Sequence, residues 1–114
     1  MDFIKNKPPR RFKPSANSEI QISDCGKIKL EDNEQISFLN ENKKEYDFVA
    51  KEWGYYATPS INGRLLDEGF KTALVRNNKG KYFIMVVEVE KIKIFKKYLQ
   101  KHNQKIIKWL NELI

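Results

Sequence analysis

Alternating apolar and polar residues occupy most of the chain between residues 19 and 90. Alternation with a period of two predicts half-buried β-strands. Residues 20–23 and 27–30 show it on either side of Asp24-Cys25-Gly26. This pattern predicts a hairpin, because glycine accepts the positive φ of a tight turn. Residues 35–39 predict a third strand, which a polar break at residues 40–43 follows.

Residues 45–53 fit two periods. The spacing of Tyr46, Val49 and Trp53 suits one face of a helix, whereas Tyr46, Phe48 and Ala50 alternate with their neighbours as in a strand. We favour the strand, because the connection from residue 39 is short and because aromatic and β-branched residues fit strands best.

The clearest pattern lies between residues 70 and 113. Two apolar runs flank Asn77-Asn78-Lys79-Gly80 and predict a hairpin. Its second strand, residues 82–87, is apolar on both faces, which predicts a central strand covered on each side. From residue 91 to residue 113 the apolar period becomes 3.6 and predicts an amphipathic helix. Its polar face would carry a stripe of four lysines: Lys97, Lys101, Lys105 and Lys108.

These elements predict an α+β fold, in which an antiparallel sheet of about five to seven short strands, curled or barrel-like, is closed by one C-terminal amphipathic helix. A chain of 114 residues has room for one domain. Residues 1–18 contain Pro8, Pro9 and Pro14 among basic residues and predict a disordered arm. We therefore expect an arm at 1–18 and a single domain at 19–114, with a β-rich body at 19–90 and the helix at 91–113.

The net charge of +7 is concentrated at the two ends of the chain. Residues 1–18 and 91–114 are strongly basic, whereas residues 19–90 hold ten basic and thirteen acidic residues. A mildly acidic body weakens a nucleic-acid interpretation, but the basic ends keep nucleic acid as an alternative partner. The residues of that alternative are Arg10, Arg11, Lys97, Lys101, Lys105 and Lys108.

Several classes of protein find no support in the sequence. The longest apolar run, residues 82–87, is too short to span a membrane, and no secretory signal is visible, so we expect a cytoplasmic protein. Cys25 is the single cysteine, which leaves no thiolate zinc set, and the single histidine, His102, is not near it in the sequence and falls on the apolar side of the predicted helix. No glycine-rich phosphate-binding motif is present. We therefore predict no metal, no cofactor and no catalytic residue, and we lean against an enzyme.

Residues 53–65 are the densest in chemistry. They contain six residues that could stack on or hydrogen-bond to a ligand: Trp53, Tyr55, Tyr56, Ser60, Asn62 and Arg64. In one interpretation the aromatic rings hold a sugar or a base, while Arg64 binds an anion in a bidentate fork. In the other, Trp53 and one tyrosine fill the core, Asn62-Gly63 forms a type I′ turn and Arg64 pairs with Asp67 or Glu68.

The run Trp53-Gly54-Tyr55-Tyr56-Ala57-Thr58-Pro59-Ser60-Ile61-Asn62-Gly63-Arg64-Leu65, with Glu45-Tyr46-Asp47 before it and Ala73-Leu74-Val75 after it, resembles small uncharacterised bacterial proteins. These proteins are encoded near surface-polysaccharide and sugar-modifying enzymes. The resemblance covers roughly residues 25–100 and implies a pathway neighbourhood, with no mechanism attached.

The expected function is therefore that of a non-catalytic binding or accessory protein. Its partner would be a small sugar-linked or anionic ligand, or an enzyme of a bacterial surface-polysaccharide pathway. The alternative is a small β-barrel that binds nucleic acid through the basic N-terminal arm and the C-terminal helix. A homodimer would suit a chain of this size, because a second copy can cover an exposed sheet edge.

Overall fold

The computed structural model describes residues 1–112. Over these residues the strands are β1 (Asp2–Phe12), β2 (Ile22–Lys29), β3 (Gln35–Leu39), β4 (Glu45–Lys51), β5 (Gly54–Ala57), β6 (Phe70–Arg76), β7 (Tyr82–Glu88) and β8 (Lys105–Trp109). The helices are α1 (Arg64–Asp67) and α2 (Ile92–Lys101), and 3-10 turns form at Val89–Lys91 and Leu110–Glu112.

The strands form three small antiparallel sheets, in the orders β1-β2, β3-β4-β5 and β7-β6-β8. The α+β class is confirmed, but the curled or barrel-like sheet is wrong, because the sheets are not closed into a barrel. One physical reason lies at Pro59. Proline cannot donate to a β-ladder, so β5 ends at Ala57 and the chain turns into α1 instead of extending the sheet.

Backbone proximity groups the chain into two compact units. The first unit is Met1–Ser37 with Phe48–Tyr56, and the second is Phe38–Asp47 with Ala57–Ile114. The single domain at 19–114 stays a prediction.

The predicted disordered arm is wrong for most of its length, because β1 pairs with β2 from Asp2 opposite Lys29 to Phe12 opposite Ile22. The register shifts between Lys5 and Arg10. Pro8 and Pro9 fall inside that irregularity, where the ladder does not need the N–H groups that proline lacks. The prolines therefore interrupt the pairing without preventing it.

The predicted hairpin at Asp24-Cys25-Gly26 is also wrong, since β2 runs through these residues as one strand. Gly26 has a φ of +149°, and a Cβ there would collide with the carbonyl oxygen of Ile4. Glycine is therefore needed for the close approach of β1 and not for a turn.

The strand predicted at 35–39 is confirmed by β3, and β4 confirms the strand interpretation of residues 45–53. The hairpin of β6 and β7 is confirmed, with Phe70 opposite Glu88 and Arg76 opposite Tyr82. The central position belongs to β6, however, and β7 lies at the sheet edge, where Tyr82 and Ile84 are 59% and 58% exposed.

The predicted helix at 91–113 is too long, because α2 ends at Lys101 and β8 follows. Asn103 takes a φ of +56°, and the N–H of Gln104 donates to the carbonyl of Leu99 at 2.9 Å, which closes the helix. The chain then pairs with β6, and Ile106 and Trp109 pack with α2 around a core of Ala73, Val75 and Leu99. Residue 113 of the predicted helix lies outside the described residues.

Candidate functional site

The six candidate residues of the 53–65 stretch are distributed over both units. Trp53, Tyr55 and Tyr56 belong to the first unit, and Ser60, Asn62 and Arg64 belong to the second. The two groups are therefore treated as separate surfaces.

The aromatic group forms a stacked pair, which we call the aromatic platform and define as Trp53 and Tyr56. Their ring centroids are 5.8 Å apart and the ring planes differ by 13°. Trp53 closes the turn after β4, and Gly54 adopts a φ of +143° that glycine accepts readily. Tyr56 follows in β5, so a turn and a strand together set the spacing of the two rings.

Both rings of the platform face solvent. Trp53 is 70% exposed and Tyr56 45% exposed, so the interpretation in which Trp53 and one tyrosine fill the core is wrong. Tyr55 is 71% exposed but lies on the opposite side of β5, because successive side chains of a strand alternate between faces. The platform thus exposes apolar ring surface on which a planar ligand face can stack.

Arg64 has carboxylate partners within the protein. Its Nη2 donates to Oδ2 of Asp47 at 3.0 Å, and its Nη1 donates to Oε1 of Glu68 at 3.1 Å. The hydrogen bond to Asp47 raises the pKa of Arg64, and Glu68 adds to the effect. Asp47 is only 4% exposed, so the guanidinium balances a buried charge. This arrangement favours the structural interpretation of Arg64 over that of an anion clamp.

Ser60 and Gly63 shape the turn into α1. The Oγ of Ser60 accepts the backbone N–H of Arg64 at 3.2 Å, and a Cβ on Gly63 would collide with that Oγ. The predicted type I′ turn is wrong, since Gly63 has a φ of −129° and a type I′ turn needs positive values. Asn62 is exposed in the same turn.

Asp47 is the residue that sequence reasoning missed. It lies in β4 between Tyr46 and Phe48, and its buried carboxylate requires a partner. The alternation of Tyr46, Phe48 and Ala50 assigned Asp47 to the polar face of the strand, so the sequence did not indicate its burial. The sequence did not indicate the partner either, because Arg64 lies 17 positions further along.

The six basic residues of the nucleic-acid alternative do not form the predicted surface. Lys97 and Lys101 lie on α2, whereas Lys105 and Lys108 lie on β8, so the four-lysine stripe of a single helix is wrong. Arg10 pairs with Asp24 at 3.3 Å and covers the ring of Phe12 at 4.5 Å. Arg11 is exposed on β1.

Residues 1–112 contain no group of three or more histidine, cysteine or acidic residues that could hold a metal ion. Over the same residues, no helix is long and apolar enough to cross a membrane.

Fold and surface together define a small α+β protein of antiparallel sheets that exposes an ordered aromatic pair. Comparison with protein-family models, with curated proteins and with solved structures finds no match.

Proposed function

We propose that this chain is a non-catalytic binding protein whose ligand carries a sugar, and that the sugar ring lies on the aromatic platform. The observation that carries the proposal is the stacked and exposed pair of Trp53 and Tyr56. The C–H bonds on one face of a pyranose form a flat apolar surface of ring size, which packs on an aromatic face and displaces water from both. Because the two rings are already stacked, little side-chain freedom is lost on binding.

The surroundings of the platform favour a neutral sugar over a polyanion. Glu52 precedes Trp53 and is exposed, and the Nζ of Lys51 donates to Oδ1 of Asn33 at 2.5 Å. A nucleic-acid strand would require free cations beside the stacking rings. The resemblance to proteins encoded near sugar-modifying enzymes agrees with this choice, and we place the protein as an accessory factor of such a pathway.

The experiment is a titration of the full chain with neutral sugars and sugar nucleotides, followed by calorimetry or NMR. We expect W53A and Y56A each to weaken binding about fivefold or more, since one aromatic stacking contact contributes about 1–3 kcal/mol. Y55A is the matched control, because Tyr55 is as exposed as Trp53 but faces away from the platform. Equal weakening by Y55A, or undiminished binding by W53A, would refute the proposal.

A second candidate function rests on the pairing of β1 with β2, which turns the basic N-terminal segment into an ordered ribbon. Strand alternation places Lys27 and Lys29 on one face of this ribbon. Both side chains are exposed, as is that of Arg11 on β1. A two-stranded basic ribbon can bind the phosphate backbone of a nucleic acid.

A further inference from the structure

The second unit contains a cleft of about 520 Å³ at the end of the β7-β6-β8 sheet. Two cations line it, Arg76 at the end of β6 and Lys105 at the start of β8. Its other lining residues all carry side-chain amides, and they come from the β6–β7 turn and from the end of α2. Asn77, Asn103 and Gln104 are among them, and over residues 1–112 no carboxylate lines the cleft.

The two cations are brought together by the fold. Arg76 and Lys105 are directly opposite each other in the antiparallel pairing of β6 and β8. Like charges at such positions repel each other and destabilise the pair. Among residues 1–112, neither cation forms an ion pair with an acidic side chain. A bound anion would supply the missing negative charge.

The side chain of Arg76 has a defined position before any ligand binds. Its guanidinium lies 5.8 Å from the ring centroid of Tyr82, its register partner on β7. On the turn side, a Cβ on Gly80 would be 3.3 Å from Nη2 of Arg76, so the guanidinium packs closely on the glycine. A pre-ordered guanidinium loses less side-chain entropy when it binds an oxyanion.

The amides complement this positive charge. Oδ1 of Asn77 accepts hydrogen bonds from the backbone N–H groups of Lys79 and Lys81 at 3.0 and 2.9 Å. The turn therefore uses the amide oxygen of Asn77, and the amide NH₂ group can donate to a ligand. The carbonyls at the end of α2 would repel an anion. However, those of Tyr98, Leu99 and Gln100 already accept backbone hydrogen bonds from the residues that close the helix.

We propose that this cleft binds a phosphorylated sugar, with its phosphate beside Arg76 and Lys105 and its hydroxyl groups beside the amides. Cations bind the oxyanion through charge-assisted hydrogen bonds. Side-chain amides both donate and accept, which matches hydroxyl groups. The volume lies within the range of about 300–1,000 Å³ that is usual for small-molecule sites. This site shares no residue with the aromatic platform, and the proposal does not depend on the platform.

The experiment is a titration of the ¹⁵N-labelled full chain with glucose 6-phosphate at low salt, followed by NMR. We expect shifts at Asn77, Asn103 and Lys105, and about tenfold or greater weakening by R76Q and by K105Q. K108Q is the matched control, because Lys108 is exposed on the same strand and its loss changes the net charge equally. K108Q should leave the affinity unchanged, and the spectra of the free variants verify that each is folded.

Two ligand controls test the chemical class. Glucose, which lacks the anion, should produce no shifts, and inorganic phosphate, which lacks the hydroxyl groups, should bind more weakly than glucose 6-phosphate. Absence of shifts at millimolar glucose 6-phosphate would overturn the proposal. Equal weakening by K108Q would overturn it as well, by showing general attraction to a basic surface, and equal binding of inorganic phosphate would overturn the assignment to a sugar.

Discussion

Gly26 and Gly54 provide a test of why β1 is ordered. Both glycines have nearly the same backbone φ, +149° and +143°, which glycine accepts but which strains a residue with a side chain. A Cβ on Gly54 would meet no atom within 4 Å. A Cβ on Gly26 would collide with the carbonyl oxygen of Ile4 and lie 3.1 Å from Cα of Lys5. The alanine variants therefore share the same backbone strain and differ in the collision.

The magnitudes follow from this difference. Alanine at positive φ destabilises the folded state by about 1–3 kcal/mol through backbone strain. Alanine also lowers the conformational entropy of the unfolded chain, which offsets about 0.4–1 kcal/mol of that loss. We therefore expect G54A to lower the free energy of unfolding by about 1–2 kcal/mol. The contacts at Gly26 are with backbone atoms, which cannot rotate away, so overpacking adds about 1–3 kcal/mol. For G26A the expected total is about 2–5 kcal/mol.

A two-stranded sheet is marginally stable by itself, so G26A should open β1 from β2 before the rest of the chain unfolds. The assay is amide hydrogen exchange of β1 and β2 in both variants, with urea unfolding for the global stability. Exchange should accelerate throughout β1 in G26A and remain near the wild-type rate in G54A. If the two variants lost protection equally, the close approach of Ile4 to Gly26 would not be what orders the N-terminal strand.

Two further predictions concern Tyr46 and the basic ribbon. Burial raises the pKa of Tyr46 above its ordinary value of 10.0, so above pH 10.0 the unfolded chain loses the phenolic proton first and stability falls as the pH rises. Y46F should reduce this alkaline loss in urea unfolding, and an unchanged pH profile would contradict it. If the ribbon binds nucleic acid, replacing both Lys27 and Lys29 with glutamine should remove about two phosphate contacts. The affinity for an oligonucleotide should then fall less steeply as the salt concentration rises. The same change at Lys79 and Lys81 should have no effect, and equal effects would refute a site on the ribbon.

The elements that sequence patterns predicted correctly are those stabilised by near neighbours. Alternation indicated β3 and favoured a strand over a helix for β4, apolar runs indicated β6 and β7, and Asn77-Asn78-Lys79-Gly80 indicated the turn that joins the last two. A hairpin pairs two strands that are close in the sequence. One short segment therefore contains both the strand pattern and the strand with which it pairs. The candidate stretch at 53–65 was found in the same way, through its local density of aromatic and polar groups.

Only the tertiary structure decided the partners that lie far apart in the sequence. Ile106 and Trp109 suit the face of a helix, but pairing with β6 makes their segment a strand. The sequence allowed Arg64 to bind an external anion, whereas in the fold its guanidinium donates to the buried carboxylate of Asp47. Strand alternation separated Tyr55 from Tyr56, and the turn at Gly54 stacked Trp53 on Tyr56. Local propensity sets which conformations a segment can adopt, and burial and charge pairing with distant residues select one of them.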